Sequence, residues 1–121
     1  MSSFNTPIGK YGEDIAEEFL KNKGYLVIER NYSIGGGEID IVAYLNGVMI
    51  FVEVKSRYNS KHISPCEGVT HVKRENILRT ANKYINNHNL WNLLFRFDVI
   101  EVYLNNFDNS YIINHIENAF E

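Results

Sequence analysis

GEIDIVAYLNGVMIFVEVKSR, residues 37–57, contains two apolar runs separated by Asn46-Gly47. An Asn-Gly pair between apolar runs is a strong hairpin signal, because a type I′ turn needs positive φ at both central residues. We therefore predict antiparallel strands over residues 37–45 and 48–56. The same stretch contains three carboxylates and a lysine, which are costly to bury, and these charges are the first indication of function.

The hairpin sets a register that brings acidic residues together. With a two-residue loop, Leu45 pairs with Val48. Counting away from the loop along each strand then places Asp40 opposite Glu53. Side chains of a cross-strand pair share one face, with β-carbons roughly 5 Å apart. Two facing carboxylates repel each other, so we expect a shared proton or a cation between them.

The residues around this pair are typical of a divalent-cation site. Apolar neighbours flank Asp40 and Glu53 in both strands, so leaving the two charges unpaired costs several kcal/mol. Oxygen ligands favour Mg²⁺ or Mn²⁺ over zinc. Lys55 follows Glu53 by two residues and shares its face, where an ammonium can orient an attacking water. This set is typical of metal-dependent phosphodiester hydrolysis.

A purely structural interpretation uses the same residues. The register also places Glu38 opposite Lys55, so these two could form an ion pair while Asp40 and Glu53 reach solvent. A shift of the register by one residue would remove the pairing altogether.

The composition suits a single domain over residues 1–121. With 45% hydrophobic residues the chain can bury a core, and its single cysteine, Cys66, excludes an internal disulfide and favours a reducing compartment. The first nineteen residues contain no apolar run of signal-peptide length. We therefore expect a cytoplasmic protein that makes no membrane contact.

The remaining elements follow from periodicity and from capping signals. We predict a helix from Pro7 or Gly9 to Asn22, a strand over 25–30, a loop over 31–37, a helical turn over 64–68, a helix over 71–87, and strands over 93–104 and 110–116. The order α-β-β-β-α-β-β predicts an α/β fold with a central mixed sheet flanked by helices.

Charge is distributed unevenly along the chain. The formal net charge is −3, yet the segment from residue 55 to residue 83 is strongly basic. Its basic residues are Lys55, Arg57, Lys61, Lys73, Arg74, Arg79 and Lys83. Such a segment can bind the phosphates of a nucleic acid, or it can be an ordinary solvated helix surface. Tyr32 could stack on a base, and packing at the edge of the core is the alternative.

Five motifs resemble, in order, those of the YraN-like bacterial proteins: GKYGEDIAEEFL, GEIDIVA, FVEVKSR, VTHVKRENI and RFDV. That family is identified as a member of the restriction-endonuclease-like PD-(D/E)XK superfamily, and it is similar to Holliday junction resolvases. The resemblance implies that Asp40 and Glu53 bind the metal, that Lys55 is the catalytic lysine, and that Glu13 is an additional glutamate near the metal. Glu38 belongs to the GEID signature without a firm role.

The resemblance has two departures and one functional implication. Ile39 stands before Asp40 where the superfamily name implies proline, and His71 stands where we expect proline. We expect a Mg²⁺- or Mn²⁺-dependent nuclease that acts on structured or branched DNA, with the Val54 carbonyl as a further metal ligand and a homodimer as its assembly. The alternatives are a non-catalytic nucleic-acid-binding protein of the same fold and a protein-interaction domain.

Overall fold

The computed structural model describes residues 7–58, 71–105 and 107–120. Its elements are α1 (Pro7–Asn22), β1 (Leu26–Ile34), β2 (Gly37–Leu45), β3 (Val48–Tyr58), α2 (His71–Asn87), β4 (Leu94–Leu104) and β5 (Tyr111–Phe120). The predicted α/β class and element order are confirmed. The predicted helical turn over 64–68 and Lys61 lie outside the described residues. Within those residues, neither helix is long and apolar enough to cross a membrane.

One mixed sheet of five strands, in the order β1-β2-β3-β4-β5, forms the centre of the fold. All neighbouring strands are antiparallel except β3 and β4, which run parallel over their whole lengths. Because parallel neighbours need a long crossover, the segment that contains α2 connects β3 to β4. Since β3 is the middle strand, its residues 48–52 pair with a strand on each side.

The two helices cover opposite faces of the sheet. Ile15, Ala16 and Leu20 of α1 pack in one core layer, together with alternate residues of β3 such as Val52. The second layer contains Ile77, Ala81 and Tyr84 of α2 and the intervening β3 residues Met49 and Phe51. Both helices therefore contribute to the environment of the middle strands, one from each face.

Two hairpins set the register on the β1 side of the sheet. Asn46 and Gly47 have φ of 50° and 86°, and Leu45 pairs with Val48, as the sequence predicts. The predicted loop over 31–37 is wrong, because β1 continues to Ile34 and turns at Gly35-Gly36, where both φ values are positive. A Gly-Gly pair adopts this conformation without a steric penalty, so the segment forms a second tight hairpin and not a flexible entry to β2.

Candidate active site

Strands β2 and β3 separate at the predicted acidic pair. Their pairing ends at Ile41 and Val52, while β2 continues against β1 as far as Gly37 and β3 continues against β4 as far as Tyr58. The carboxylate of Asp40 lies at this separation, and its Oδ2 accepts the Val54 N–H at 2.8 Å. The side chain thus takes the place of a main-chain acceptor beside β3.

Glu53 lies on the α2 side of the same opening. Its Oε2 contacts the ammonium of Lys73 from α2 and lies 3.6 Å from Nζ of Lys55. Glu53 is 7% exposed and Asp40 is 3% exposed, so both carboxylates are withdrawn from solvent. Since Glu53 and Lys55 are two residues apart on one strand, they share a face, as the sequence predicts.

Burial shifts the pKa values of Asp40 and Lys55 away from their ordinary values. Burial, together with repulsion from Glu53, holds the pKa of Asp40 well above its ordinary value, although the Val54 N–H acts in the opposite direction. Burial also lowers the pKa of Lys55, and the adjacent Lys73 ammonium lowers it further. Burial lowers the pKa of Lys73 too, but attraction to Glu53 outweighs that effect and the pKa is raised. Negative charge at Asp40 is therefore poorly compensated.

Glu13 reaches the opening from α1. It is completely buried, and its Oε1 accepts a hydrogen bond from Asn31 Nδ2 at 2.9 Å and lies 3.3 Å from Arg30 Nη2. Its charge contributes to the raised pKa of Asp40. The charge of Glu13 thus acts on Asp40, and Glu13 is held by an ion pair with Arg30 that the sequence did not predict.

A backbone irregularity in β1 brings these partners to Glu13. Arg30 and Tyr32 would share a face in a regular strand, yet Arg30 contacts α1 while Tyr32 packs edge-to-face on Tyr84 of α2. Asn31, between them, has a φ of 54° and reverses the alternation. Asparagine tolerates this left-handed conformation better than most residues. Tyr32 packs at the edge of the core, and its predicted stacking on a base stays a prediction.

The predicted pairing of Glu38 with Lys55 is absent from the structure. Glu38 pairs with Ser33 of β1 and not with Lys55, because β2 has already left β3 at this point. Among the described residues, no three carboxylate, histidine or cysteine side chains converge as a ready metal site. The assignment of Asp40, Glu53, Glu13 and the Val54 carbonyl to a metal stays a prediction.

The predicted nucleic-acid-binding residues do not form a single stripe. Those that the structure describes have different surroundings. Arg57 is half-buried near the end of β3, and Lys73 contacts Glu53. Arg74 lies 6.0 Å from the centre of the Phe120 ring, Arg79 is exposed and donates a hydrogen bond to Asn76, and Lys83 lies beside Gly35. Lys61 lies outside the described residues. The sequence did not predict the contact of Lys73 with Glu53, and the role of Lys73 in nucleic-acid binding stays a prediction.

The position of Lys73 could have been found from helical spacing. Lys73 precedes the buried residues Ile77 and Ala81 by four and eight positions, so it belongs to the inward face of α2. Grouping it with the other basic residues by charge alone hid this periodicity. By contrast, no short-range signal links Arg30 to Glu13, seventeen residues earlier.

The comparisons with known proteins agree on one family. The profile of the uncharacterised protein family UPF0102 matches residues 12–102. A UPF0102 protein of Clostridium novyi (strain NT) is 48% identical over 99% of this chain and 100% of its own length. Those of Clostridium botulinum (strain Alaska E43) and Clostridium acetobutylicum are 45% and 46% identical, each over at least 98% of both chains. The predicted resemblance is confirmed: the chain belongs to the uncharacterised protein family UPF0102, the YraN-like family.

Proposed function

We propose that this chain is a Mg²⁺- or Mn²⁺-dependent nuclease, with structured or branched DNA as its favoured substrate. The observation that carries the proposal is the pair of buried carboxylates, Asp40 and Glu53, where β2 and β3 separate. Two such groups repel each other, and the raised pKa of Asp40 reflects that cost. A divalent cation between them would relieve the repulsion.

The donor set fits magnesium or manganese. Both ions prefer oxygen ligands, and magnesium needs only one or two protein carboxylates when water and substrate phosphate complete its shell. Asp40 and Glu53 supply those carboxylates, and Glu13 or the Val54 carbonyl can support the site directly or through water. The superfamily resemblance assigns the same residues to the metal.

Lys55 and the basic residues each have a proposed role in the reaction or in binding the nucleic acid. A bound divalent ion supplies charge stabilisation and a more acidic water. Lys55, beside Glu53, orients the attacking water and offsets negative charge on the phosphate. Arg57, Lys61, Arg74, Arg79 and Lys83 are proposed to contact the phosphate backbone, where such contacts position the nucleic acid without reading its sequence. A cytoplasmic location and a homodimer remain predictions from the sequence and the resemblance.

A cleavage assay with matched variants tests the proposal. Parent protein, Asp40→Ala, Glu53→Gln and the exposed control Asp108→Asn are incubated with labelled four-way junction, flap, linear and single-stranded DNA in Mn²⁺, Mg²⁺ or EDTA. We expect cleavage by the parent and the control only with metal, and a loss of at least about 100-fold in both site variants. Equal cleavage by the parent and Asp40→Ala would show that the activity does not depend on the acidic pair.

A second candidate function is nucleic-acid binding without cleavage. It is favoured by the contact between Lys73 and Glu53, which already neutralises one carboxylate with a protein cation. This function predicts salt-dependent DNA binding in EDTA, with affinity unchanged or increased in Asp40→Ala because repulsion of phosphate falls. Binding of that kind with no cleavage of any substrate would select this candidate over the nuclease.

A further inference from the structure

Two ammonium groups share one buried carboxylate. Lys73, the third residue of α2, contacts Glu53 Oε2, and Lys55 Nζ lies 3.6 Å from the same oxygen. One positive charge would neutralise Glu53, so the second lysine brings a charge in excess of what that carboxylate requires. The charge of Lys73 also attracts the negative charge of Asp40, so this lysine acts on both carboxylates of the acidic pair.

The position of Lys73 is that of a cation at the acidic pair. Its side chain is two-thirds buried, with an exposed fraction of 33%, and it extends from α2 towards the opening between β2 and β3. Lys55 belongs to the same strand as Glu53 and is fixed by that strand. Lys73 comes from a helix and reaches the carboxylate through a flexible four-carbon stem, so it can leave without a change in the sheet.

We propose that Lys73 is a resident cation that holds Glu53 in the metal-free protein and competes with a divalent ion for Glu53 Oε2. This inference rests on the proposed function, because it concerns the metal site of the nuclease. A metal can use the Glu53 oxygen only in molecules where Lys73 has moved away. The apparent affinity for metal is therefore reduced by the fraction of molecules in that state.

Competition and simple structural support give opposite results when the lysine charge is removed. If Lys73 competes, its replacement frees Glu53 and metal binding becomes tighter. If Lys73 serves to orient Glu53 for the metal, its replacement leaves the carboxylate poorly positioned and binding becomes weaker. The direction of the change in affinity therefore separates the two roles.

Calorimetric titration of Mn²⁺ into the metal-stripped full chain tests the inference. We compare the parent with Lys73→Met, Lys73→Gln, the charge-retaining Lys73→Arg, and Lys10→Met, which removes the same charge from an exposed position on α1. We expect Lys73→Met and Lys73→Gln to bind Mn²⁺ at least about tenfold more tightly than the parent. Lys10→Met should stay within about twofold of the parent, and Lys73→Arg should show no gain.

Thermal denaturation gives a readout that is independent of calorimetry. Without metal, Lys73→Met should melt below the parent, because the two buried carboxylates together lose an attracting positive charge. Saturating Mn²⁺ should then raise the midpoint of Lys73→Met by more than that of the parent, since the ion binds only the folded state. Adding Glu53→Gln to Lys73→Met should abolish both the tighter binding and the larger rise.

The failures of the two proposals are distinguishable. Mn²⁺ binding by the parent together with equal or weaker binding by Lys73→Met and Lys73→Gln would overturn the role of Lys73 and leave the nuclease proposal standing. No Mn²⁺ binding by any of the variants would overturn both proposals. Tighter binding by Lys73→Met with no cleavage of any DNA would keep the competition and count against the nuclease.

Discussion

At the scale of single residues, two buried aspartates of this protein have opposite surroundings. Asp40 accepts one hydrogen bond from Val54 and faces the repulsion of Glu53. Asp98 has more partners, since it accepts hydrogen bonds from Arg96, His115 and the Asn118 N–H. Burial raises the pKa of a carboxyl group in both places, but at Asp98 the hydrogen bonds outweigh it and the pKa is lowered. Only Asp40 therefore weakens the fold when ionised.

Asp40→Asn should stabilise the metal-free protein at neutral pH. The folded-state pKa of Asp40 is raised, so its ionisation removes stability as pH rises above the ordinary carboxyl value of about 3.9. Asparagine keeps an acceptor for Val54 without the charge, and we expect a gain of about 1–2 kcal/mol near pH 7. Urea unfolding in EDTA at several pH values measures it. The gain should vanish below about pH 4, and a constant gain would contradict the assignment of the charge.

Glu13→Gln should destabilise the protein, whereas Asp14→Asn should have little effect. Both acids contact Arg30, but Glu13 is fully buried while the Asp14 side chain is 51% exposed. Removing one partner of a buried ion pair costs roughly 2–4 kcal/mol, whereas an exposed pair contributes at most about 1 kcal/mol. Urea denaturation of the two variants at pH 7 gives the comparison. Equal losses would show that burial does not set the strength of these contacts.

At the scale of elements, local signals predicted the helices and the central hairpin, and contacts between distant elements escaped them. The turn at Asn46-Gly47 depends on two adjacent residues, so its register can be derived from sequence alone. The end of pairing at Ile41 and Val52 depends on β2 continuing with β1 and β3 continuing with β4. No residue within the hairpin specifies that choice, and the predicted partner of Glu38 was therefore wrong.

The contact between α1 and β3 is set by a residue without a side chain. A Cβ added to Gly12 would lie 1.7 Å from Ser56 Oγ and 2.8 Å from Ser56 Cβ. Glycine therefore allows the close approach that brings the next residue, Glu13, into the sheet opening. This contact joins residues forty-four positions apart, which explains why helical periodicity alone did not reveal it.

Gly12→Ala should destabilise the protein although alanine is the better helix former. The clash with Ser56 forces α1 and β3 apart at a cost of about 1–3 kcal/mol, which exceeds the gain of at most about 1 kcal/mol in helix propensity. Thermal unfolding of the parent, Gly12→Ala, Ser56→Gly and the double variant measures the coupling. The double variant should recover about half of the loss or more, and purely additive losses would exclude the clash as the cause.

At the scale of the whole molecule, the acidic pair is formed by the sheet topology. Asp40 and Glu53 lie on neighbouring strands just beyond their last paired residues, while α1 carries Glu13 and α2 carries Lys73 on opposite faces of the sheet. Sequence patterns singled out Asp40 and Glu53 because carboxylates are unusual in apolar strands, whereas Glu13, on a helix, was put forward by the family resemblance alone. They did not predict the contact between Lys73 and Glu53, because the charge of Lys73 was considered without its position on the helix.

The far side of the sheet depends on Asp98, where β5 meets β4 at an irregular register between Phe97 and Val99. Asp98→Asn should lose about 2–4 kcal/mol at pH 7, because Arg96 and His115 lose their charged acceptor. The folded-state pKa of Asp98 is lowered, so its contribution is complete above the ordinary value of about 3.9 and is lost as pH falls through the folded value. Urea unfolding of parent, Asp98→Asn and Asp40→Asn from pH 7 to pH 3 should thus give differences in stability of opposite sign, and both differences should narrow as the pH falls. Differences of the same sign at pH 7 would contradict the contrast between the two aspartates.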